Sequence, residues 1–341
     1  MHTPPKAWPL LLLLVSGCSP TQGKDEPTDT DPANTDDTAA EEPADSADPG
    51  LPPPEGDPAT VELAGACPMA ADHGGFVVEV DLDYSIVDGA VLDAVVPTSV
   101  LTPVLAAGDC SLLRRENPFC DPACASGFTC SLDGECVPFP AEQDLGTVTV
   151  AGLAEDVVME PRDPGARYFD TSLPHPAVQQ GELVELRTDA AGTLGELVLH
   201  GVGPESLEVL DEELVVIGSQ SLELHWTPPA AGARTHVELF LNIDQHGATP
   251  MRVSCVFADT GTGTVDGTII EGLVSGSVTG FPSARLRRQT VDHTTVGEQC
   301  LDFGVASPRF VEVRVDGFTP CDSPDDCPEG QTCNLALEIC E

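Results

Sequence analysis

The sequence predicts an all-β protein, built as one or two antiparallel β-sandwich domains with two small disulfide-rich modules. Three observations carry that expectation. Phe76, Val78, Val80, Leu82, Tyr84 and Ile86 alternate with Val77, Glu79, Asp81, Asp83 and Ser85, the period-two pattern of a half-buried strand or strand pair. Clusters of turn formers, such as Pro228-Pro229 and Asp259-Thr260-Gly261-Thr262-Gly263, interrupt similar patterns at intervals of about ten residues. No segment keeps a helical period, with Thr268 to Val274 as the single candidate.

Composition narrows the function classes. The chain has 341 residues, 57 Asp and Glu against 14 Lys and Arg, and a formal net charge of −43. Such a chain repels phosphate backbones instead of releasing counterions from them, which argues against a nucleic-acid partner. Hydrophobic residues make up 41% and aromatics only 4%, so the core is expected to consist of Val, Leu and Ile. Thirteen Cys point to an oxidising compartment.

The N-terminus specifies the route to that compartment. Residues 1–17 carry one basic side chain, Lys6, then the apolar run Ala7 to Val15, then small residues. This is the three-part form of a secretory signal, and the run is too short to span a bilayer. Val15-Ser16-Gly17-Cys18 resembles the bacterial lipobox, with Val where Leu is usual, and implies cleavage before Cys18 and lipidation of that residue. Ser19, where an Asp resembles an inner-membrane retention signal, implies sorting to the outer membrane. An ordinary cleaved signal would leave Cys18 incidental. Setting Cys18 aside leaves twelve Cys, an even number that can all pair.

Residues 18–60 read as a disordered acidic tether. The stretch holds twelve acidic residues and no Ile or aromatic, so it cannot bury enough apolar surface to offset the entropy of ordering. Asp29-Thr30-Asp31-Pro32-Ala33-Asn34 lacks the Gly turn and closing Glu of a calcium loop.

Residues 61–119 form an N-terminal β region and residues 141–318 a β-sandwich region. In the latter, Val148 and Val150, then Leu222, Leu224 and Trp226, then Val237, Leu239, Leu241 and Ile243, then Val311, Val313 and Val315 each alternate with polar or exposed positions. Disulfide modules are expected at 120–140 and 319–341. Cys120, Cys124, Cys130 and Cys136 share a central C-x-x-G-x-T-C with Cys321, Cys327, Cys333 and Cys340. Blocks this short cannot make a core and need covalent links. Each allows three connectivities, of which first-to-third with second-to-fourth is expected. Zinc sites usually present closer Cys pairs, which only Cys120 and Cys124 approach, so no metal or other cofactor is expected. Of the remaining four, Cys255 lies in phase with Val253 and Phe257, and Cys255–Cys300 and Cys67–Cys110 are the expected pairs.

Taken together, the lipobox, the Asp/Thr/Pro-rich tether, the two Cys blocks and Asn242-Ile243-Asp244-Gln245-His246-Gly247 resemble a set of cysteine-rich exported bacterial lipoproteins. The resemblance implies an architecture and a place in the cell envelope and brings no activity with it. The Cys blocks alone are similar to small EGF-like or Dickkopf-like disulfide modules of binding proteins.

Catalytic motifs are scarce: there is no H-E-x-x-H, G-x-S-x-G or Walker loop, and Lys24 is the only Lys after the signal. Asp244, His246, Asp259 and Asp266 could converge at a sandwich rim and hold a metal or sugar, or serve a carboxylate-dependent hydrolase. The plainer reading makes the Asp residues turn formers. Arg285, Arg287 and Arg288 could dock an anionic glycan or acidic partner, or pair with the chain's own carboxylates. Trp226 could stack on a sugar, although its phase with Leu222 and Leu224 points to the core. The expectation is a non-enzymatic envelope lipoprotein, held to the membrane by its N-terminal lipid, with a protein or glycan ligand and no nucleic acid.

Overall fold

The computed structural model describes residues 51–243, 250–276 and 278–341. The signal segment, Cys18, residues 19–50 of the tether, Asp244 and His246 lie outside the described residues. Residues 51–60, read from composition as the end of the tether, are bonded to the fold. The Glu55 amide donates to Glu185 Oε2 at 3.0 Å, and Arg234 donates to the Pro58 carbonyl at 3.0 Å.

The chain is mostly β structure. Its strands are β1 (Asp72–Val80), β2 (Ser85–Val91), β3 (Leu101–Ala107), β4 (Cys110–Arg115), β5 (Phe128–Cys130), β6 (Cys136–Pro138) and β7 (Val148–Ala151). Then come β8 (Val157–Met159), β9 (Tyr168–Asp170), β10 (Leu183–Thr188), β11 (Val198–Val202), β12 (Glu213–Val216), β13 (Leu222–His225) and β14 (His236–Asn242). The last are β15 (Met251–Ala258), β16 (Thr262–Val265), β17 (Ser283–Val296), β18 (Gln299–Val315), β19 (Cys333–Asn334) and β20 (Ile339–Cys340). Among the described residues one α-helix, α1 (Gly267–Gly276), stands where the sequence offered its single helical candidate. Its Ile269, Ile270 and Leu273 are buried.

The long alternation from Phe76 is a strand pair. Asp81 to Tyr84 close a hairpin turn, with the Asp81 amide donating to the Tyr84 carbonyl at 3.0 Å. That turn resets the phase. Phe76 and Val78 face a core, Leu82 and Tyr84 are exposed, and on the return strand it is Val87 and Val91, not Ile86, that are fully buried.

Ten strands form one sheet in the order β3-β4-β15-β14-β17-β18-β1-β2-β9, with β12 added beside β18. Strands from residues 61–119 and from 141–318 therefore share a sheet. Most neighbours are antiparallel, but β18 takes both β1 and β12 as parallel partners, so the sheet is mixed. Pro308, which has no ladder donor, falls in the stretch of β18 between those two partners. At Gly75 a β-carbon would lie 1.9 Å from the Asp302 carbonyl oxygen, so only glycine lets β1 close on β18 after the bulge at Asp72.

One face of the sheet covers two cores. Leu239, Leu241, Val253 and Leu286 pack with Trp226, Leu224 and α1 in one; Phe76, Val78, Phe303 and Val305 pack with β7 and β10 in the other. Where β17 crosses from one core to the other its inward residues turn polar, and each meets a partner. Arg288 pairs with Asp259, Thr290 bonds both polar groups of the Val202 backbone, and Asp292 accepts from the Ala64 and His200 amides.

Six disulfides brace the chain and mark it as extracytoplasmic. Both modules pair first to third and second to fourth: Cys120–Cys130 with Cys124–Cys136, and Cys321–Cys333 with Cys327–Cys340. Each carries a short hairpin, β5–β6 or β19–β20. The four isolated Cys pair otherwise than expected: Cys67 bonds Cys300 and Cys110 bonds Cys255, in place of Cys67–Cys110 and Cys255–Cys300. Sheet order is the reason. β4 lies beside β15 with Cys110 and Cys255 as register partners, and the chain entering β1 runs beside the start of β18, Cys300 donating to the Ala71 carbonyl.

Candidate functional site

The carboxylates singled out in the sequence do not form a site among the described residues. The Asp259 side chain is buried and saturated. Its Oδ1 accepts from Trp226 Nε1 at 2.8 Å and Arg288 Nη2 at 3.1 Å, and its Oδ2 from Thr235 Oγ1 at 2.6 Å and Arg288 Nε at 2.7 Å. With four donors on one carboxylate, no acceptor capacity remains for a ligand. Asp266 starts α1, its Oδ1 accepting from the Thr268 amide and hydroxyl, which holds its carboxyl below the usual range. Trp226 is in the core, as its phase implied.

The arginine cluster is divided by the pleat. Arg288 points to the cores, while Arg285 and Arg287 share the opposite face with Gln289 and Val291. On that face β14 contributes Glu238 and Phe240, β15 contributes Arg252, Ser254 and Val256, and β4 contributes Ser111 and Leu113. β18 and β1 add Asp302, Gly304, Gly75 and Val77. Together they line a trough of about 740 Å³, walled at one side by the segment carrying Cys67 and Met69.

The trough floor is charged, desolvated and incompletely bonded. Glu238 is register partner to Arg287, and its Oε2 accepts from Gln289 Nε2 at 3.0 Å. Burial nevertheless pushes the Glu238 carboxyl up, against the pull of Arg287. Burial also lowers the Arg287 and Arg252 guanidiniums and the His236 imidazole. Asp302 is pushed up to about 6 by burial, despite the Cys67 amide bonding its Oδ1 at 2.7 Å. Arg285 is paired with Glu79, and Arg252 lies over the Phe240 ring at 4.6 Å from its centroid. The buried Nε atoms of Arg252, Arg285 and Arg287 have no hydrogen-bond partner among the described residues. Neither has Oε1 of Gln289, a residue only 4% exposed. Buried polar atoms are normally satisfied, so four unmet ones on one sheet face set this trough apart as the candidate site.

Sequence reasoning singled out Arg285 and Arg287 as a possible docking patch but missed the trough, because nothing in it brought Glu238, Phe240, Arg252 and Gln289 to the same face. The available signal was their kind: Glu238, Phe240, Arg252, Arg285 and Arg287 are large and mostly charged or aromatic, in strands whose other face is Leu and Val. Elsewhere, Cys67 and Cys300 stand close to Asp302, but as a disulfide they are not metal ligands; the same holds for the Cys groups of both modules.

No protein-family model and no curated protein matches the chain. Among solved structures it is similar to the FN1–FN3 domains of chicken CNTN1, at 10% identity over 62% of this chain and 65% of that one, with a TM-score of 0.15. The match thus spans slightly under two thirds of that chain, and a likeness at this level carries no argument. What stands on geometry is a β-rich, disulfide-bonded extracytoplasmic chain with a polar trough on its large sheet.

Proposed function

We propose that this chain is a non-enzymatic binding protein of the bacterial cell envelope, lipid-anchored at Cys18, carried on its acidic tether and seating a polar ligand in the trough of the ten-stranded sheet. The observation that supports it is the set of buried, unpartnered polar atoms of Arg252, Arg287 and Gln289 on one face. Leaving such atoms unmet costs about 1–3 kcal/mol each, and a ligand that satisfies them recovers that cost on binding. A rigid sheet braced by Cys67–Cys300 and Cys110–Cys255 holds those groups in fixed positions, which limits the entropy lost when the ligand arrives. The lipobox-like Val15-Ser16-Gly17-Cys18 and Ser19 support this reading, in which envelope polymers and proteins are the ligands within reach.

The test is retention of envelope material by the exported chain carrying Cys18→Ala, immobilised as it is and with Arg252→Gln/Arg287→Gln added. Material held by the first and lost from the second is the expected result. Equal retention by both, with the second chain melting normally, overturns the trough as the binding seat.

A further inference from the structure

We propose that the trough binds a carboxylated oligosaccharide, its acid groups taken by Arg252 and Arg287 and a ring hydroxyl donating to Oε1 of Gln289. This rests on the binding reading above and specifies its ligand. The unmet atoms define the chemistry: two guanidinium N–H donors need acceptors, and one carboxamide oxygen needs a donor. A polyhydroxylated acid supplies both kinds from neighbouring atoms.

Charge distribution agrees. Residues 61–341 contain twelve Arg and no Lys against 45 acidic residues, whereas the trough sets Arg167, Arg252 and Arg287 among Asp72, Asp88, Asp109, Glu238 and Asp302, with Arg167 and Asp88 paired to each other. In a chain so acidic, this local enrichment in arginine is a selective feature, and carboxylate is the group that the guanidinium fork fits.

The floor also favours a sugar chain over a peptide. These strands lie inside the sheet, with β4, β15, β14, β17 and β18 each paired on both sides, so their backbone groups are spent on the ladder. An extended peptide finds no main-chain partner there and would have to be read at a sheet edge. Ring hydroxyls, in contrast, are read by side chains such as Ser111, Ser254 and Gln289. The register separates the two arginines: Arg252 faces Asn242 and Arg287 faces Glu238, four residues along β14 and on opposite sides of it. That is about 13 Å along and about 10 Å across, a span that suits acids repeated along an oligomer better than one small anion.

The experiment is calorimetric titration of the exported Cys18→Ala chain with tetragalacturonate and tetramannuronate, with the methyl ester of tetragalacturonate, and with an acidic hexapeptide. At least one polyuronate is expected to bind, the ester to bind tenfold to a hundredfold more weakly, and Arg252→Gln or Arg287→Gln to cause a loss of about the same size. Arg162→Gln, on an exposed loop, should change nothing. Ester and acid binding equally would overturn the carboxylate assignment. Binding of the peptide but of neither polyuronate would overturn the saccharide. If neither polyuronate binds while the immobilised chain still retains envelope material through the trough, this inference falls and the binding reading stands. Loss of both results removes the binding reading as well.

Discussion

Arg288 Nε stands 2.7 Å from Asp259 Oδ2 at the seam between the two cores, and the two side chains are 0% and 3% exposed. Asp259 also takes the Trp226 indole N–H, so one carboxylate ties β17 to the chain that follows β13 and β15. Arg288 completes the arrangement by donating to the Ser206 and Thr227 carbonyls. Removing one member of such a pair strands the other charge. Asp259→Ala should therefore cost about 3–5 kcal/mol in urea denaturation, whereas Asp259→Leu with Arg288→Met should cost much less. A loss below about 1 kcal/mol for Asp259→Ala would show that the pair is not what joins the cores.

The long-range disulfides make a second prediction. Peptide mapping of unreduced protein should recover Cys67 linked to Cys300 and Cys110 linked to Cys255, and thiol labelling of the denatured chain should find none of the twelve free. Since Cys110–Cys255 closes a separation of 145 residues, replacing both with Ala should cost about 4–5 kcal/mol through the unfolded chain. Recovery of a Cys67–Cys110 peptide would contradict the strand order itself.

Asp302 sets a pH dependence. Its carboxyl is raised to about 6 by burial, against about 3.9 in an unfolded chain. Between these values the native state holds more protons than the unfolded state, so the contribution of Asp302 is fully present below about pH 4 and is lost as pH rises through about 6. Asp302→Asn keeps an acceptor for the Cys67 amide and removes the titration. The stability of the parent chain relative to this variant should fall from pH 4 to pH 6 and then level off; a flat difference would place Asp302 in water.

The anchor is tested by processing. Cys18→Ala, or globomycin treatment, should change maturation and release the protein from membranes. Unchanged fractionation would remove lipidation from the account.

Local pattern was enough to read much of the fold. The all-β class, the buried faces of β13 and β14 and the helix at Thr268 follow from periodicity, while the pairing within both Cys modules matches the expected one of three connectivities that spacing alone leaves open. The partners of Cys67, Cys110, Cys255 and Cys300 do not, because they depend on which distant strands become neighbours. β1 meets β18 across more than two hundred residues, a parallel pairing that no local alternation announces. The trough escaped for the same reason: its floor draws Ser111, Glu238, Arg252, Arg287 and Asp302 from strands scattered along the chain, and only Arg287 had been singled out, as part of an arginine cluster that the pleat divides. Asp259 was picked out for its place beside a turn, and its burial under Trp226 became visible only with the strands assembled.

Hydrogen exchange of the exported Cys18→Ala chain, with and without the envelope material it retains, tests the central claim most directly. Ligand-dependent protection over residues 236–242, 251–258 and 283–291 is the predicted result. Protection confined to the first Cys module, where Phe119 and Phe139 are exposed, or to the edge strand β3, would contradict the trough as the binding seat.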